Sequence, residues 1–140
     1  MSPSEWTSTV TALSDADVSA CVQAAERLHR ESRVEDVERL LALLESNDFF
    51  VREAAAWPLA ELVGPSVLPQ LLAAYQRGFY EGRDNDGFTA ALLEIPGLHV
   101  GQARSSLERI AASADEPMRG HAAWLLDFCE PSATPSQNGA

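Results

Sequence analysis

Residues 48–59 read DFFVREAAAWPL, and residues 115–126 read DEPMRGHAAWLL. Sliding the chain by 67 residues brings the two stretches into register and aligns 40–62 with 107–129 without a gap. Leu40, Ser46, Asp48 and Arg52 meet Leu107, Ser113, Asp115 and Arg119. Ala55, Ala56, Trp57 and Leu59 meet Ala122, Ala123, Trp124 and Leu126, which makes eight identities in 23 positions. Each stretch follows an apolar, helix-like run and a short polar break, so a helix–turn–helix unit recurs. The shift is two periods of about 33 residues, a length that marks stacked helix pairs burying their apolar faces against their neighbours. A third unit is therefore expected between the two, and residues 66–95 supply it.

The remainder of the chain is also helical in pattern, and no segment alternates like a strand. Helices are expected at about 4–13, with Trp6, Val10 and Leu13 on one face, and from Val18 to Leu28, with Ser14 as N-cap and Asp17 completing a capping box. Others are expected at 34–45, 49–63 with a kink at Pro58, 66–80, 87–95, 102–113 and 118–129. Pro96-Gly97 is expected to stop the 87–95 helix. Residues 130–140 (EPSATPSQNGA) have no apolar anchor and are expected to be a disordered tail. In the middle unit two registers stand open. A shift of 35 sets Ala90-Ala91 on the alanine pair but puts Gly87 in place of the arginine. A shift of 37 sets Phe88 and Leu92 on Val51 and Ala55.

The recurring DxxVRxxAA, followed by Leu and Gly, resembles the HEAT-like repeats of bacterial proteins. Asp48, Val51, Arg52, Ala55, Ala56, Leu59 and Gly64 carry the resemblance, and Asp115, Met118, Arg119, Ala122, Ala123 and Leu126 repeat it without the closing Gly. It covers about residues 34–129. It implies an all-α, armadillo-type fold, a short right-handed α-solenoid of about three to four antiparallel helix pairs. Residues 1–33 would then be an N-terminal helical cap or a divergent first repeat, and 34–129 three repeats. The family serves mainly as a scaffold for protein contacts.

Composition narrows the function. In 140 residues, 46% of them hydrophobic, 21 Asp plus Glu stand against ten cations, for a net charge of −11. Every cation is an arginine, so lysine chemistry is excluded. A nucleic-acid binder needs a basic face to displace counterions, and little is available. No signal-like segment and no long apolar run is present, so neither a membrane role nor secretion is expected, and a cytoplasmic location follows by default. Cys21 and Cys129 read as two buried free thiols. With no CxxC, HExxH or clustered His, neither zinc nor any other cofactor is expected.

Trp57 is the most informative candidate. Val51, Ala55, Pro58, Leu59 and Leu62 form the apolar stripe of their helix, and Trp57 lies about 140° away from its centre. Trp124 is placed likewise. In HEAT-like units this position looks toward the concave surface, so two Trp side chains there suggest a binding ridge, Trp being a frequent interface anchor. Under the 35-residue register Leu92 is its middle member. In the loop EGRDNDG, calcium spacing fails at both ends, since Gly82 and Leu93 would be the first and twelfth ligands. It reads instead as a polar turn with Asp86 as N-cap, presenting Arg83, Asp84 and Asp86 on a rim. Tyr75 and Phe79 are expected in the core and Tyr80 on the surface. His29, His99 and His121 show no ligand-like spacing, and no catalytic constellation occurs.

These features point to a small, acidic protein–protein interaction module that binds a basic protein partner through its concave face. One concrete version is an inhibitor or immunity-type protein masking a basic toxin or nuclease. The alternative is an enzyme or enzyme subunit of a HEAT-like lyase or DNA-glycosylase type. A third reading is a homo-oligomer formed through the Trp ridge.

Overall fold

The structure, a computed structural model, describes residues 1–129, and the expected tail at 130–140 lies outside the described residues. Eight α-helices and two short 3-10 turns account for the fold, and there is no strand among the described residues. The helices are α1 (Pro3–Ala12), α2 (Val18–Glu31), α3 (Val37–Leu43), α4 (Phe49–Leu62), α5 (Leu68–Tyr80), α6 (Asp86–Leu98), α7 (Val100–Ser113) and α8 (Met118–Leu126). The protein is all-α. The described residues include no helix long and apolar enough to cross a membrane.

Short polar side chains start three of these helices, α1, α2 and α4, by accepting their first free amides. Ser2 and Glu5 form a reciprocal capping box on α1. Asp17 accepts from Ser19 N at 3.1 Å and caps α2. Ser14, expected in that role, instead donates to Asp48 Oδ2 at 3.1 Å, because Asp17 is adjacent to the helix and Ser14 lies a turn earlier. Asp48 in turn accepts from Phe50 N at 2.9 Å and caps α4. The N-cap position of α6 is Asn85, not Asp86. Asn85 is buried and its amide donates to Tyr75 O at 2.9 Å, which leaves Asp86 as the first helical residue.

Both internal prolines are tolerated. α4 runs through Pro58 to Leu62, and α6 runs through Pro96 to Leu98 rather than stopping there. Each proline removes the one backbone bond that its amide would have made to the carbonyl four residues earlier. Both rings are buried, so packing offsets the loss.

The core is one continuous cluster reaching from Trp6, Leu13 and Leu28 to Leu107 and Leu125. Residues 1–33 therefore share the core of the rest. An anchored charge group holds α1 in place. Asp36, 2% exposed, accepts from Arg33 N at 2.9 Å and pairs with Arg39, which bonds Met1 O at 3.2 Å and lies over the Trp6 ring at 4.4 Å. Burial opposes the Asp36 charge, but these partners hold its carboxyl below the ordinary range. Cys21 and Cys129 are both free; Cys129 is buried as expected, whereas Cys21 is only half-buried.

α4 and α6 settle the middle register. Val51, Ala54, Ala55, Pro58 and Leu59 are buried on α4, and Phe88, Ala91, Leu92, Ile95 and Pro96, each 37 residues later, are buried on α6. The N-caps Asp48 and Asn85 differ by the same 37. The 35-residue shift would instead place exposed Asp86 and Ala90 on the core positions of Val51 and Ala55.

Candidate binding face

A four-residue backbone bond marks the starts of α2, α4 and α6, as it does those of α1 and α7, and also the turn that leads into α8 at Met118. The carbonyls of Asp17, Asp48, Asn85 and Asp115 accept from the amides of Cys21, Arg52, Thr89 and Arg119, four residues on. Nine residues beyond these starts stand Glu26 on α2, Trp57 on α4, Glu94 on α6 and Trp124 on α8. None of the four is buried. Since α2 touches α4, α4 touches α6 and α6 touches α8, carboxylate and indole alternate from one helix to the next.

Trp57 lines a cleft of about 320 Å³ between α2 and α4. Val22, Ala25, Glu26 and His29 form its α2 wall, Phe50, Glu53 and Ala54 the rest of its α4 wall, and Gly87 closes the α6 end. The indole is held from two sides. Its Nε1 donates to Glu61 Oε2 at 3.2 Å, and its ring meets the His29 ring at 5.2 Å between centroids. Glu26, at the mouth, has no hydrogen bond or ion pair within the described residues.

Glu53 reaches across to α6, where its carboxylate accepts the Phe88 amide. A Cβ at Gly87 would stand 2.7 Å from that carboxyl, so glycine gives Glu53 its access to the helix start. Burial pushes the Glu53 carboxyl up; the amide bond opposes this, while the charges of Asp84 and Asp86 add to it. Glu61 joins α2, α4 and α6: besides Trp57, it has His29 Nε2 2.9 Å from Oε1, an ion-pair contact without hydrogen-bond alignment, and the Glu94 carboxyl as partner. Burial opposes its charge, but His29, Glu94 and Trp57 hold Glu61 below the usual range. Burial and the adjacent Glu61 push Glu94 up, so this pair favours one charge and one proton.

Trp124 has a different neighbourhood. It stacks on Tyr75 at 6.0 Å with an interplanar angle of 10° and meets Phe128 edge-on at 5.9 Å. Tyr75 is also in contact with Phe79, Phe88 and His121, at centroid distances of 4.9, 5.8 and 5.1 Å. His121 Nε2 donates to Gln76 Oε1 at 2.6 Å, and burial pushes its imidazole down toward the neutral form. No ring contact joins the Trp57 and Trp124 groups among the described residues.

The other expected residues divide. Leu92 is fully buried and packs the core, so it is no part of an exposed ridge. The 37-residue register explains this, because it gives the Trp57 position on α6 to Glu94. Tyr75 is buried as expected, but Phe79 is 48% exposed at the last turn of α5, meeting Tyr75 in an edge-to-face contact. Tyr80, Asp84 and Asp86 are exposed. Asp84 Oδ1 accepts from Asp86 N at 3.0 Å, and both lie close enough to Glu53 to act on its charge, at the α6 end of the cleft. Arg83 lies 4.0 Å from Glu81 and over the Phe49 ring at 5.9 Å, and is not part of the cleft lining.

Glu26, His29, Glu53, Glu61 and Glu94 were outside the sequence expectation. The signal for Glu26 and Glu94 was their distance from the N-caps Asp17 and Asn85; for the other three it is purely tertiary. This arrangement has an apolar floor, an indole wall and a carboxylate rim, which suits a cationic group. Among the described residues, no three or more His, Cys, Asp or Glu are grouped to hold a metal ion. Compared with known proteins, the chain matches no family model, no curated protein and no solved structure.

Proposed function

We propose that this protein is a cytoplasmic interaction module built of HEAT-like repeats, which binds a basic protein partner on the face formed by α2, α4, α6 and α8. The observation that carries the reading is the alternation Glu26, Trp57, Glu94, Trp124 on α2, α4, α6 and α8, every second helix of the chain. Trp anchors give an interface its affinity, and carboxylates beside them select cations and steer encounter.

Two further observations support a solenoid with this face as its concave side. Contacts run within the successive pairs α1·α2, α3·α4, α5·α6 and α7·α8, and between neighbours α2·α4, α4·α6 and α6·α8. Arg52, at the repeat's arginine position, is fully buried and bonds Glu81 at the end of the following unit's first helix. An immunity-type inhibitor is the most concrete form of such a binder, because masking a basic active site needs only a complementary acidic surface. The enzyme alternative would place its acid–base pair at Glu61 and Glu94, but these lie along the face rather than at the base of the cleft.

The test is capture of partners by wild type and by Trp57→Ala at low and high ionic strength. A stoichiometric basic protein held at low salt, weakened at high salt and lost with Trp57→Ala is expected. A partner retained equally by the variant, or no partner at either salt, would overturn the reading.

A further inference from the structure

We propose that the cleft beside Trp57 is a subsite for one arginine side chain of the partner, stacked on the indole and bridged between Glu26 and Glu53. This rests on the reading of the face above and names what it selects.

Size and lining fit a single side chain. At about 320 Å³ the cleft is at the small end of ligand pockets, which span roughly 300–1,000 Å³. Its apolar body, from Val22, Phe50 and the indole, suits the aliphatic stem of a long cationic residue, which packs on apolar surface while its head stays polar. The indole is tethered at its edge by Glu61 and met by the His29 ring at 5.2 Å, which leaves the face turned from His29 for stacking. The two carboxylates come from different helices, Glu26 on α2 and Glu53 on α4. A planar fork of five donors can bridge two such acceptors and stack at once, whereas an ammonium is a point charge. A cation over Trp within about 6 Å of the ring is the strongest of the aromatic pairings.

Charge at the site is uncompensated. Glu26 has no partner among the described residues, Asp84 and Asp86 add to the field at Glu53, and burial disfavours the Glu53 charge. Arg52, the buried cation at the start of α4, is committed to Ser46 O and Glu81. Only His29 faces the cleft as a basic group, and it is paired with Glu61. A guanidinium arriving from outside is what this set of groups lacks.

The experiment uses capped Gly-Ser-Arg repeat peptides, matched lysine and citrulline versions, and the Trp57 indole N–H resonance, assigned by its loss in Trp57→Leu. The arginine peptide should shift that resonance. Binding should weaken about tenfold, the loss of one charge-assisted contact, with the citrulline peptide or with Glu26→Gln. Glu26 makes no structural bond, so that variant should fold as wild type, checked by its unfolding midpoint. Equal binding of the lysine peptide, or arginine binding that leaves Trp57 unshifted, overturns the subsite while the basic-partner reading stands. Failure of both charged peptides to bind overturns both.

Discussion

Arg52 Nη2 meets Glu81 Oε1 at 2.5 Å, and the guanidinium is fully buried between α4 and the end of α5. Its Nη1 donates to Ser46 O at 2.9 Å, and Glu81 also accepts from Arg77 Nε at 2.9 Å. The hydrogen bond from Arg52, then that from Arg77, hold the Glu81 carboxyl below its usual range. Arg119, at the same repeat position, is exposed and, among the described residues, pairs only with Glu116 on its own turn, at 3.2 Å. One sequence motif thus has two physical outcomes, set by whether another helix covers it.

That contrast gives the first prediction. Arg52→Ala empties a core site and orphans Ser46 O, so it should cost about 2–4 kcal/mol. Arg119→Ala removes one exposed pair and should stay within about 0.5 kcal/mol. Urea unfolding of the two variants beside wild type measures both. Similar midpoints for both would refute the assignment of Arg52 as a buried clamp.

A second prediction concerns Gly78 on α5. A Cβ there would lie 2.3 Å from Asn85 Oδ1, and Asn85 is fixed by its bond to Tyr75 O. Gly78→Ala should therefore separate α5 from the start of α6 and cost about 1–3 kcal/mol, as overpacking does. Gly97, in α6, has open space around its Cβ position, and Gly97→Ala should instead stabilise by about 0.5 kcal/mol. Thermal unfolding of the pair should move in opposite directions.

How much of this was legible beforehand depends on which residues carried identity. The helix pattern and the Trp57/Trp124 pairing followed from α4 and α8, where side chains recur unchanged. The middle unit stayed ambiguous because Asn85, Phe88 and Leu92 share only chemical type with Asp48, Val51 and Ala55. EGRDNDG offers Asp84, Asn85 and Asp86 as caps, and the choice was made by Tyr75 O and the space at Gly78, both tertiary. Half of the candidate face was hidden for the same reason. Glu26 and Glu94 become equivalents of Trp57 only once every helix start is known.

The third prediction follows from the carboxyl pair Glu61 and Glu94. Glu94 is raised in the folded protein, so its proton is held more tightly there than in the unfolded chain. Its contribution to stability is present below the unfolded value of about 4.3 and is lost as pH rises through the higher folded value. Glu94→Gln mimics the protonated acid and should raise stability near neutral pH. The gain should vanish as pH falls toward about 4, where the wild-type residue is itself protonated. Glu61 is lowered, so it stabilises above the unfolded value and fails only as pH falls below it. Glu61→Gln should therefore have the opposite sign near neutral pH. Unfolding midpoints of both variants across this range check the signs, and a pH-independent effect of Glu94→Gln would contradict the pairing.

The last prediction separates the two indoles. Trp57 is tethered at its edge beside an open cleft, and few core groups depend on it. Trp124 stacks on Tyr75, which is 5% exposed and itself contacts Phe79, Phe88 and His121. Aromatic pairs of this kind add about 0.5–1.5 kcal/mol beyond their buried area. Trp124→Ala should therefore unfold at distinctly lower denaturant than wild type and loosen the α5–α8 contact. Trp57→Ala should keep a midpoint close to wild type while losing the capture of a basic protein proposed for this face. Leu92→Ala serves as the reference for a fully buried core residue, with an expected cost of about 2–5 kcal/mol. If Trp57→Ala falls as far as Leu92→Ala, the indole is a core element and its place in the binding face must be given up. If Trp124→Ala is as stable as wild type but fails to bind, the anchor of the face belongs on α8 instead.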